Sequence, residues 1–262
     1  MIFYLSATGN TLWAVKQLAE TTGEKTINMA QTGENEHAYT LTDGERIGFC
    51  FPVHGWRPPL IVRHFIANLN IADNARGHFC YALCTAGDTV GETMDILKSD
   101  LARRGINLDS SFSLLMPETY VGLPFMDVDT VPDERAKIER AASQLVEFKQ
   151  YIKKRESGVE ILVRGHWPRV NSRILGSYFA AKLITDKPFR VDSSRCDHCQ
   201  RCVKACPVGN MAWDKDKRQP LWTHGGRCMT CFNCYHHCPH HAIEFGNQTK
   251  HKGQYYLGKN KP

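Results

Sequence analysis

Two cysteine runs near the C-terminal end decide how this sequence is interpreted. The first reads CDHCQRCVKACP at 196–207, and the second reads CMTCFNCYHHCP at 228–239. Both have the spacing C-x2-C-x2-C-x3-C-P. Three thiolates this close together can wrap one face of a metal cluster, whereas the fourth, directly before the proline, points away from it.

The two runs belong to an internal repeat with a constant offset of 32 residues. Residues 189–213 superimpose on residues 221–245, so that Met211, for example, matches Ile243. Each half predicts a short strand, a cysteine loop and a helical turn. A repeat of this kind predicts a small domain with pseudo-twofold symmetry.

The spacing resembles that of bacterial two-cluster ferredoxins, in which the fourth Cys of each run ligates the other cluster. The resemblance implies a small α+β domain that holds two [4Fe–4S] clusters. It also implies two crossed ligand sets. These are Cys196, Cys199, Cys202 and Cys238 for cluster 1, and Cys228, Cys231, Cys234 and Cys206 for cluster 2.

Zinc and disulfide bonds are the alternatives for these cysteines. Structural zinc sites usually pair two short knuckles across a longer gap, because a tetrahedron needs ligands from separate directions. A disulfide framework would need an oxidising compartment, and the first residues, MIFYLS, lack the basic region of a signal peptide. We therefore expect reduced thiols and a cytoplasmic location, with Cys50, Cys80 and Cys84 as core residues.

Composition and charge limit the functions that fit. The chain has 262 residues, 42% of them hydrophobic, which is enough for two domains with a substantial core. No stretch approaches the roughly 20 apolar residues of a membrane span. Residues 187–262 hold 13 Lys or Arg against 5 Asp or Glu and are therefore basic. Two clusters with eight thiolates would add a charge of roughly −4 to this part of the chain. We therefore expect the basic residues to offset the negative charge of the clusters rather than to bind nucleic acid. The alternative is that they form a docking face for an acidic redox partner.

Strands and helices alternate in the N-terminal half. Apolar runs predict five strands, at 2–6, 25–29, 46–51, 78–84 and 111–116. Amphipathic patterns predict four helices, at 11–22, 59–69, 90–104 and 132–156. The alternation predicts an α/β fold, with a doubly wound parallel five-stranded sheet covered on both faces. Ligands of such sheets bind at the carboxyl ends of the strands.

The loop after the first predicted strand reads SATGNT at 6–11. A glycine permits tight backbone geometry, and the hydroxyls and the following helix N-terminus can hold a phosphate dianion without any Lys or Arg. The segment resembles the flavodoxin phosphate loop, S/T-x-T-G-x-T, at every fixed position; an ordinary capped turn is the alternative. The resemblance implies that the phosphate of FMN is held by Ser6, Thr8, Gly9, Asn10 and Thr11.

Two further loops leave the same edge of the predicted sheet. In flavodoxins the loop after the third strand lies beside the isoalloxazine ring, and the next loop offers backbone groups to the flavin pyrimidine. Trp56 is expected either to stack on the ring or to pack at a domain interface. Tyr120 is expected either to cover the outer ring face or to pack as a core residue. The residues that match these two loops are Pro52, Val53, His54, Gly55 and Trp56, then Thr85, Ala86, Gly87 and Asp88.

The whole chain resembles the flavodoxin–ferredoxin fusion family. The resemblance implies a flavodoxin-like FMN-binding domain at 1–158, a helical connector at 159–188, a ferredoxin-like domain at 189–247 and a basic tail at 248–262. In the connector, Ile174, Tyr178 and Phe179 are spaced for one helical face. We expect that face to dock the two domains together.

Two functions fit this organisation. The favoured one is an electron carrier of anaerobic metabolism that relays electrons between FMN, the clusters and protein redox partners. The alternative is an FMN-dependent reductase of a small molecule, such as a quinone or free flavin, fed by the clusters. No nicotinamide-binding motif is present, so a protein donor is expected. A third reading is a ferredoxin whose flavodoxin-like half docks partners without FMN.

Four histidines flank the last cysteine of the second run, at 236, 237, 240 and 241. If they become charged near pH 6.5, the ordinary His value, they would tune the nearby cluster. The alternative is a solvated surface turn.

Overall fold

The computed structural model describes residues 1–32, 37–71 and 77–259. The strands of the N-terminal domain are β1 (Ile2–Tyr4), β2 (Thr26–Asn28), β3 (His37–Tyr39), β4 (Ile47–Pro52), β5 (Leu69–Ile71), β6 (Cys80–Ala86), β7 (Ser110–Leu115) and β8 (Glu160–Ile161). Its main helices are α1 (Asn10–Thr22), α2 (Leu60–Ala67), α3 (Thr93–Ala102) and α4 (Val131–Lys154).

The main sheet is parallel and has the order β2-β1-β4-β6-β7-β8. Its first five strands follow the flavodoxin-like order 2-1-3-4-5 along the chain, which confirms the predicted α/β fold. The sheet nevertheless has six strands rather than five. The sixth, β8, is only two residues long and lies beyond residue 158, where the first domain was predicted to end. Strands β3 and β5 form a separate parallel pair.

Apolar side chains cover both faces of this sheet. On one face Phe3 packs against Phe49 and Phe65, with ring centroids 5.4 and 5.2 Å away. On the other face Phe112 of β7 stacks on Phe148 of α4 at 4.7 Å. Residues buried on both sides explain why β4 and β6 are almost continuously apolar runs.

A helix at residues 168–183, here called the connector helix, packs on the loop after β4. The predicted docking face is wrong in part, because Ile174 and Tyr178 are 64% and 61% exposed. The inward side instead carries small residues. Ser172 donates a hydrogen bond to the carbonyl of Trp56 at 2.8 Å, and any Cβ on Gly176 would overlap the carbonyl oxygen of Gly55. Of the predicted face only Phe179 packs inward, against Gly55 and Tyr120. Close backbone approach and this one apolar side chain hold the helix in place.

The C-terminal domain confirms the predicted repeat. Strand β9 (Phe189–Val191) pairs antiparallel with β12 (Ile243–Phe245), and β10 (Met211–Asp214) pairs antiparallel with β11 (Gln219–Trp222). Short helices at Arg201–Ala205 and Asn233–His236 follow the two cysteine loops at the same offset. Across the described ranges, none of the helices combines the length and the apolar character that crossing a bilayer requires.

The contact between Gly176 and Gly55 can be tested with a bulkier residue. We expect Gly176→Val to lower the free energy of unfolding by about 1–3 kcal/mol, because overpacking a tight contact forces the backbone apart. The unfolding midpoint in urea measures this. Ala181→Val is the control, since Ala181 is exposed on the same helix. Equal midpoints for the two variants would contradict the close approach.

Candidate cofactor sites

A cleft opens at the carboxyl ends of β1, β4 and β6. Its cavity volume is about 180 Å³, and the cleft is open to solvent at its mouth. Thirteen of the fourteen residues predicted to contact the cofactor line it, and the exception is Gly9. The opposite wall comes from the C-terminal domain, through Met229, Thr230 and Cys231.

The loop at 6–11 presents unpaired backbone donors. Ser6 Oγ accepts the N–H of Leu12 at 3.2 Å, and the Thr11 hydroxyl lies 2.8 Å from that of Thr85. Within the described ranges, the backbone N–H groups of residues 8–11 have no protein acceptor. Orphan donors at a helix N-terminus, with no cation beside them, suit a phosphate group.

Asn10 differs from the other residues of this loop, because both polar atoms of its side chain bond to protein. Its Nδ2 donates to the carbonyl of Pro117 at 3.1 Å, and its Oδ1 accepts from the hydroxyl of Tyr255 at 2.7 Å. These bonds fix the orientation of the side chain. The sequence gave no sign of the bond to Tyr255, because the partners are 245 residues apart.

The loop after β4 is a tight turn with two left-handed residues. Gly55 and Trp56 have φ of 56° and 57°, and the N–H of His54 donates to the carbonyl of Arg57 at 3.0 Å. The indole N–H of Trp56 donates to the Thr89 hydroxyl at 2.9 Å. Trp56 thus lines the cleft while its polar end is held by the protein. Burial lowers the pKa of His54 to about 4, so its imidazole is neutral at pH 7.

The loop after β6 packs on a carboxyl group that the sequence analysis did not single out. Glu118 Oε1 accepts the N–H groups of Thr119 and Tyr120 at 2.7 and 2.8 Å, and a Cβ on Gly87 would overlap the same carboxyl. Burial raises the pKa of Glu118. The side chain lines the cleft beside the predicted flavin position.

Aromatic rings continue from the cleft into the C-terminal domain. Tyr120 contacts Phe179 of the connector helix and Phe232 of the second cysteine loop, both edge-on at 5.3 Å. Burial raises the pKa of Tyr120 to about 12. Tyr120 therefore lines the cleft and also packs between aromatic rings. Phe179 also lines the cleft, together with two residues that the sequence did not indicate, Leu123 and Met126.

The structure brings Cys238 to the first three cysteines. Burial, followed by the charge of Cys238, raises the pKa of Cys202 to about 12, with smaller contributions from Cys199 and Cys196. Cys238 also contributes to the raised pKa of Cys199, after burial and the nearby Asp197. These contributions agree with the predicted crossed set, in which Cys238 joins the first three cysteines.

The second group contains Cys206 in the same manner. Burial raises the pKa of Cys231 to about 12, and the charges of Cys228 and Cys206 add to it. Burial also raises the pKa of Cys234 strongly, with contributions from the other three members of its group and then from Cys202 of the first. Cys202, Cys231 and Cys234 are therefore protonated at neutral pH without iron, and iron binding must displace those protons.

The two cysteine loops share one backbone conformation. Residues 198 and 200 have φ of 62° and 61°, and their equivalents 230 and 232 have φ of 50° and 56°. The fourth cysteine of each run accepts a backbone N–H four residues later, Asn210 to Cys206 and Ala242 to Cys238, both at 3.2 Å. Such N–H donors to cluster sulfurs help to set reduction potentials.

A single metal ion needs several ligands that converge on one point, whereas a cluster spreads its ligands over several irons. Within residues 1–32, 37–71 and 77–259, no three His, Cys, Asp or Glu side chains converge closely enough to hold one ion. A cubane takes one thiolate at each of four irons.

Comparison with known proteins agrees with an iron–sulfur role for the two cysteine runs. Residues 189–239 match the sequence profile of the 4Fe-4S dicluster domain. An uncharacterized ferredoxin of Methanocaldococcus jannaschii is 35% identical over 54 residues, which are 20% of this chain and 70% of that protein. The chain belongs to the ferredoxin family. It joins this dicluster ferredoxin domain to the flavodoxin-like domain described above.

Solved structures resemble the flavodoxin-like domain only remotely. A flavodoxin of Streptococcus pneumoniae TIGR4 has 13% identity and a TM-score of 0.32, covering 56% of this chain and 97% of its own. An azoreductase of Bacillus anthracis has 10% identity and a TM-score of 0.36, covering 58% and 99%. At these values neither protein indicates what the cleft of this ferredoxin-family chain binds.

The four histidines occupy different environments. His236 is 1% exposed; its Nε2 donates to the carbonyl of Thr119 at 2.8 Å and its Nδ1 accepts the N–H of Tyr255 at 3.2 Å. Burial lowers the pKa of His236 to about 4 and lowers those of His237 and His241. His240 lies 3.1 Å from an Asp197 oxygen. The hypothesis that all four histidines become charged near pH 6.5 is therefore wrong for His236. This imidazole is buried and neutral, and it links Thr119 to Tyr255.

The crossed ligand sets can be tested at Cys206. We expect Cys206→Ala to remove or damage the cluster at Cys228, Cys231 and Cys234, because Cys206 lies with that group. Electron paramagnetic resonance of the anaerobically reduced variant should show cluster 1 intact. Cys238→Ala is the matched control and should give the reverse pattern. Loss of the nearer cluster in each variant would contradict the crossing.

The buried His236 predicts a dependence of stability on pH. Below about pH 6.5 the unfolded chain binds a proton at this residue, whereas the folded chain does so only near pH 4. The free energy of unfolding should therefore fall by about 1.4 kcal/mol per pH unit as pH drops from 6.5. Urea midpoints at pH 7.5 and 5.5 should differ less in His236→Gln than in the parent protein. An unchanged difference would show that His236 titrates normally.

Proposed function

We propose that this protein is an electron carrier that relays electrons between FMN in the cleft and two [4Fe–4S] clusters. The observation that carries the proposal is the position of Cys231. This residue belongs to the second thiol group and also lines the cleft opposite the loop at 6–11. One cluster and a flavin in the cleft would then be neighbours, with no additional carrier needed between them.

The residues of the cleft fit FMN in particular. The donors at residues 8–11 are neutral and lie at the start of α1, which suits one terminal phosphate. The turn at Gly55 and Trp56 and the rings of Tyr120 and Phe179 enclose the remainder of the cleft. FMN takes up one or two electrons and a [4Fe–4S] cluster takes up one, so together they can convert two-electron chemistry into single-electron steps.

We propose protein redox partners as the donor and the acceptor, in the cytoplasm and in anaerobic metabolism. The basic excess of residues 187–262 supports an acidic partner, because complementary charge speeds encounter. Electron transfer to such a partner should slow as ionic strength rises, since salt screens exposed charges.

A reductase of a small molecule, such as a quinone or free flavin, is the second candidate. One observation favours it: the buried carboxyl of Glu118, with its raised pKa, lines the cleft. A substrate that takes up electrons there would find a proton donor beside it. Replacing Glu118 with Gln should slow reduction of such a substrate and leave electron transfer to a protein acceptor unchanged.

Flavin affinity tests the proposal directly. The anaerobically purified protein should show flavin absorption peaks above the broad cluster shoulder. Protein stripped of flavin should bind FMN at least about 100-fold more tightly than riboflavin, because each charge-assisted hydrogen bond to the phosphate contributes about 1.5–3 kcal/mol. Fluorescence quenching during titration measures both constants.

A variant in the phosphate loop provides the control for this experiment. Thr8→Val should lower the affinity for FMN and leave the affinity for riboflavin unchanged, since Thr8 is predicted to contact only the phosphate. Equal affinity of the parent protein for the two flavins would remove the phosphate site. A protein that shows no flavin peaks and binds neither flavin would instead support the alternative of a ferredoxin whose flavodoxin-like half docks partners without FMN.

A further inference from the structure

Residues 252–257, within the predicted basic tail, run from the ferredoxin-like domain back to the loop at 6–11. We call this segment the C-terminal strap. It crosses the loop at Asp127, whose Oδ1 accepts the N–H of Gly253 at 2.9 Å. Tyr255 is 2% exposed and Gln254 is 7% exposed. The strap is thus an integral part of the packed structure rather than a surface extension.

One end of the strap is fixed to the second cysteine run. The side-chain amide of Gln254 donates to the carbonyls of Tyr235 and Cys238 at 2.6 and 2.8 Å. The N–H of Tyr255 donates to His236. These bonds hold Tyr255 in a single orientation, with its ring directed away from the clusters and toward the flavodoxin-like domain.

The other end of the strap holds the predicted phosphate loop from both sides of Gly9. The Tyr255 hydroxyl donates to Oδ1 of Asn10 at 2.7 Å, and the N–H of Leu257 donates to the carbonyl of Thr8 at 2.8 Å. A Cβ placed on Gly9 would lie 3.1 Å from the Cβ of Leu257. Gly9 itself has φ of 101°, a conformation that only glycine adopts easily.

These contacts act on the same loop whose backbone donors have no protein acceptor. An anion site of this kind depends on several N–H groups pointing at one place, so a support that fixes the loop raises affinity by reducing the ordering that binding requires. We propose that the C-terminal strap completes the flavin phosphate site, with Tyr255 as a positioning residue that acts through Asn10. The inference rests on the proposed FMN function, and it adds a binding element from the far end of the chain.

The test uses the full chain with its clusters in place and its flavin removed. Tyr255→Phe deletes one hydroxyl and leaves the buried Oδ1 of Asn10 without its donor. We expect the Kd for FMN to rise about tenfold, with the Kd for riboflavin unchanged, because the predicted flavin-binding residues that the strap contacts all belong to the phosphate loop. Cluster signals in electron paramagnetic resonance should stay as in the parent protein.

Tyr256→Phe is the matched control, since it removes the same hydroxyl one residue away and keeps the ring that stacks on His237 at 4.2 Å. Leu257→Pro is an independent second variant, because proline has no N–H to donate to Thr8. Leu257→Pro should also lower the affinity for FMN without changing the affinity for riboflavin. Tyr256→Phe should bind both flavins with the affinities of the parent protein.

The outcomes separate the two proposals. If the parent protein does not prefer FMN over riboflavin, the proposed function fails and the strap proposal falls with it. If the parent prefers FMN and both strap variants keep the full preference, only the strap proposal is overturned. Equal weakening of FMN and riboflavin in the variants would also overturn it, because the strap would then be a tether between domains with no role at the phosphate.

Discussion

The edge-on packing of Phe232 against Tyr120 joins the two domains, and the relative placement of both cofactor sites depends on it. Phe232 stands directly after Cys231 and is 1% exposed. In the repeat its equivalent is Gln200, an exposed residue with the same left-handed backbone. The backbone of the ferredoxin unit is therefore symmetric, but its surface is not. One aromatic side chain selects which cysteine loop faces the flavodoxin-like domain.

Burial of the thiols is the other large constraint on the C-terminal domain. Its apolar cluster includes Cys202, Cys234 and Cys238 beside Phe189 and Ile243, so the cysteines occupy positions that a metal-free domain would fill with aliphatic residues. A protonated thiol is stable in such surroundings, whereas an isolated thiolate is not. Metal binding and packing are consequently linked, and the free energy of cluster binding contributes to the stability of the fold.

Most of the flavodoxin-like domain could be predicted from its residues, because each long helix and strand buries apolar residues at a regular spacing. The loop at 6–11 follows its strand as predicted, and the three loops do converge on one cleft. The incorrect predictions concern a very short strand and a helix that packs through small residues. Strand β8 has only two residues, too few for any pattern, and the connector helix packs through Ser172 and Gly176, whose small size carries no hydrophobic signal. Tyr178 has the right spacing for a buried face and is nevertheless exposed.

The residues alone are enough to predict the kind of ligand at each site. The cysteine spacing and the loop with Gly9 are patterns of a few adjacent residues, and the repeat is visible as a constant offset of 32 residues. How those sites meet depends on the tertiary structure. Cys231 at the cleft, Glu118 beneath Gly87 and the bond from Tyr255 to Asn10 all join segments far apart in the chain. Such contacts depend on the packing of whole domains, and no periodicity or spacing within a single segment encodes them.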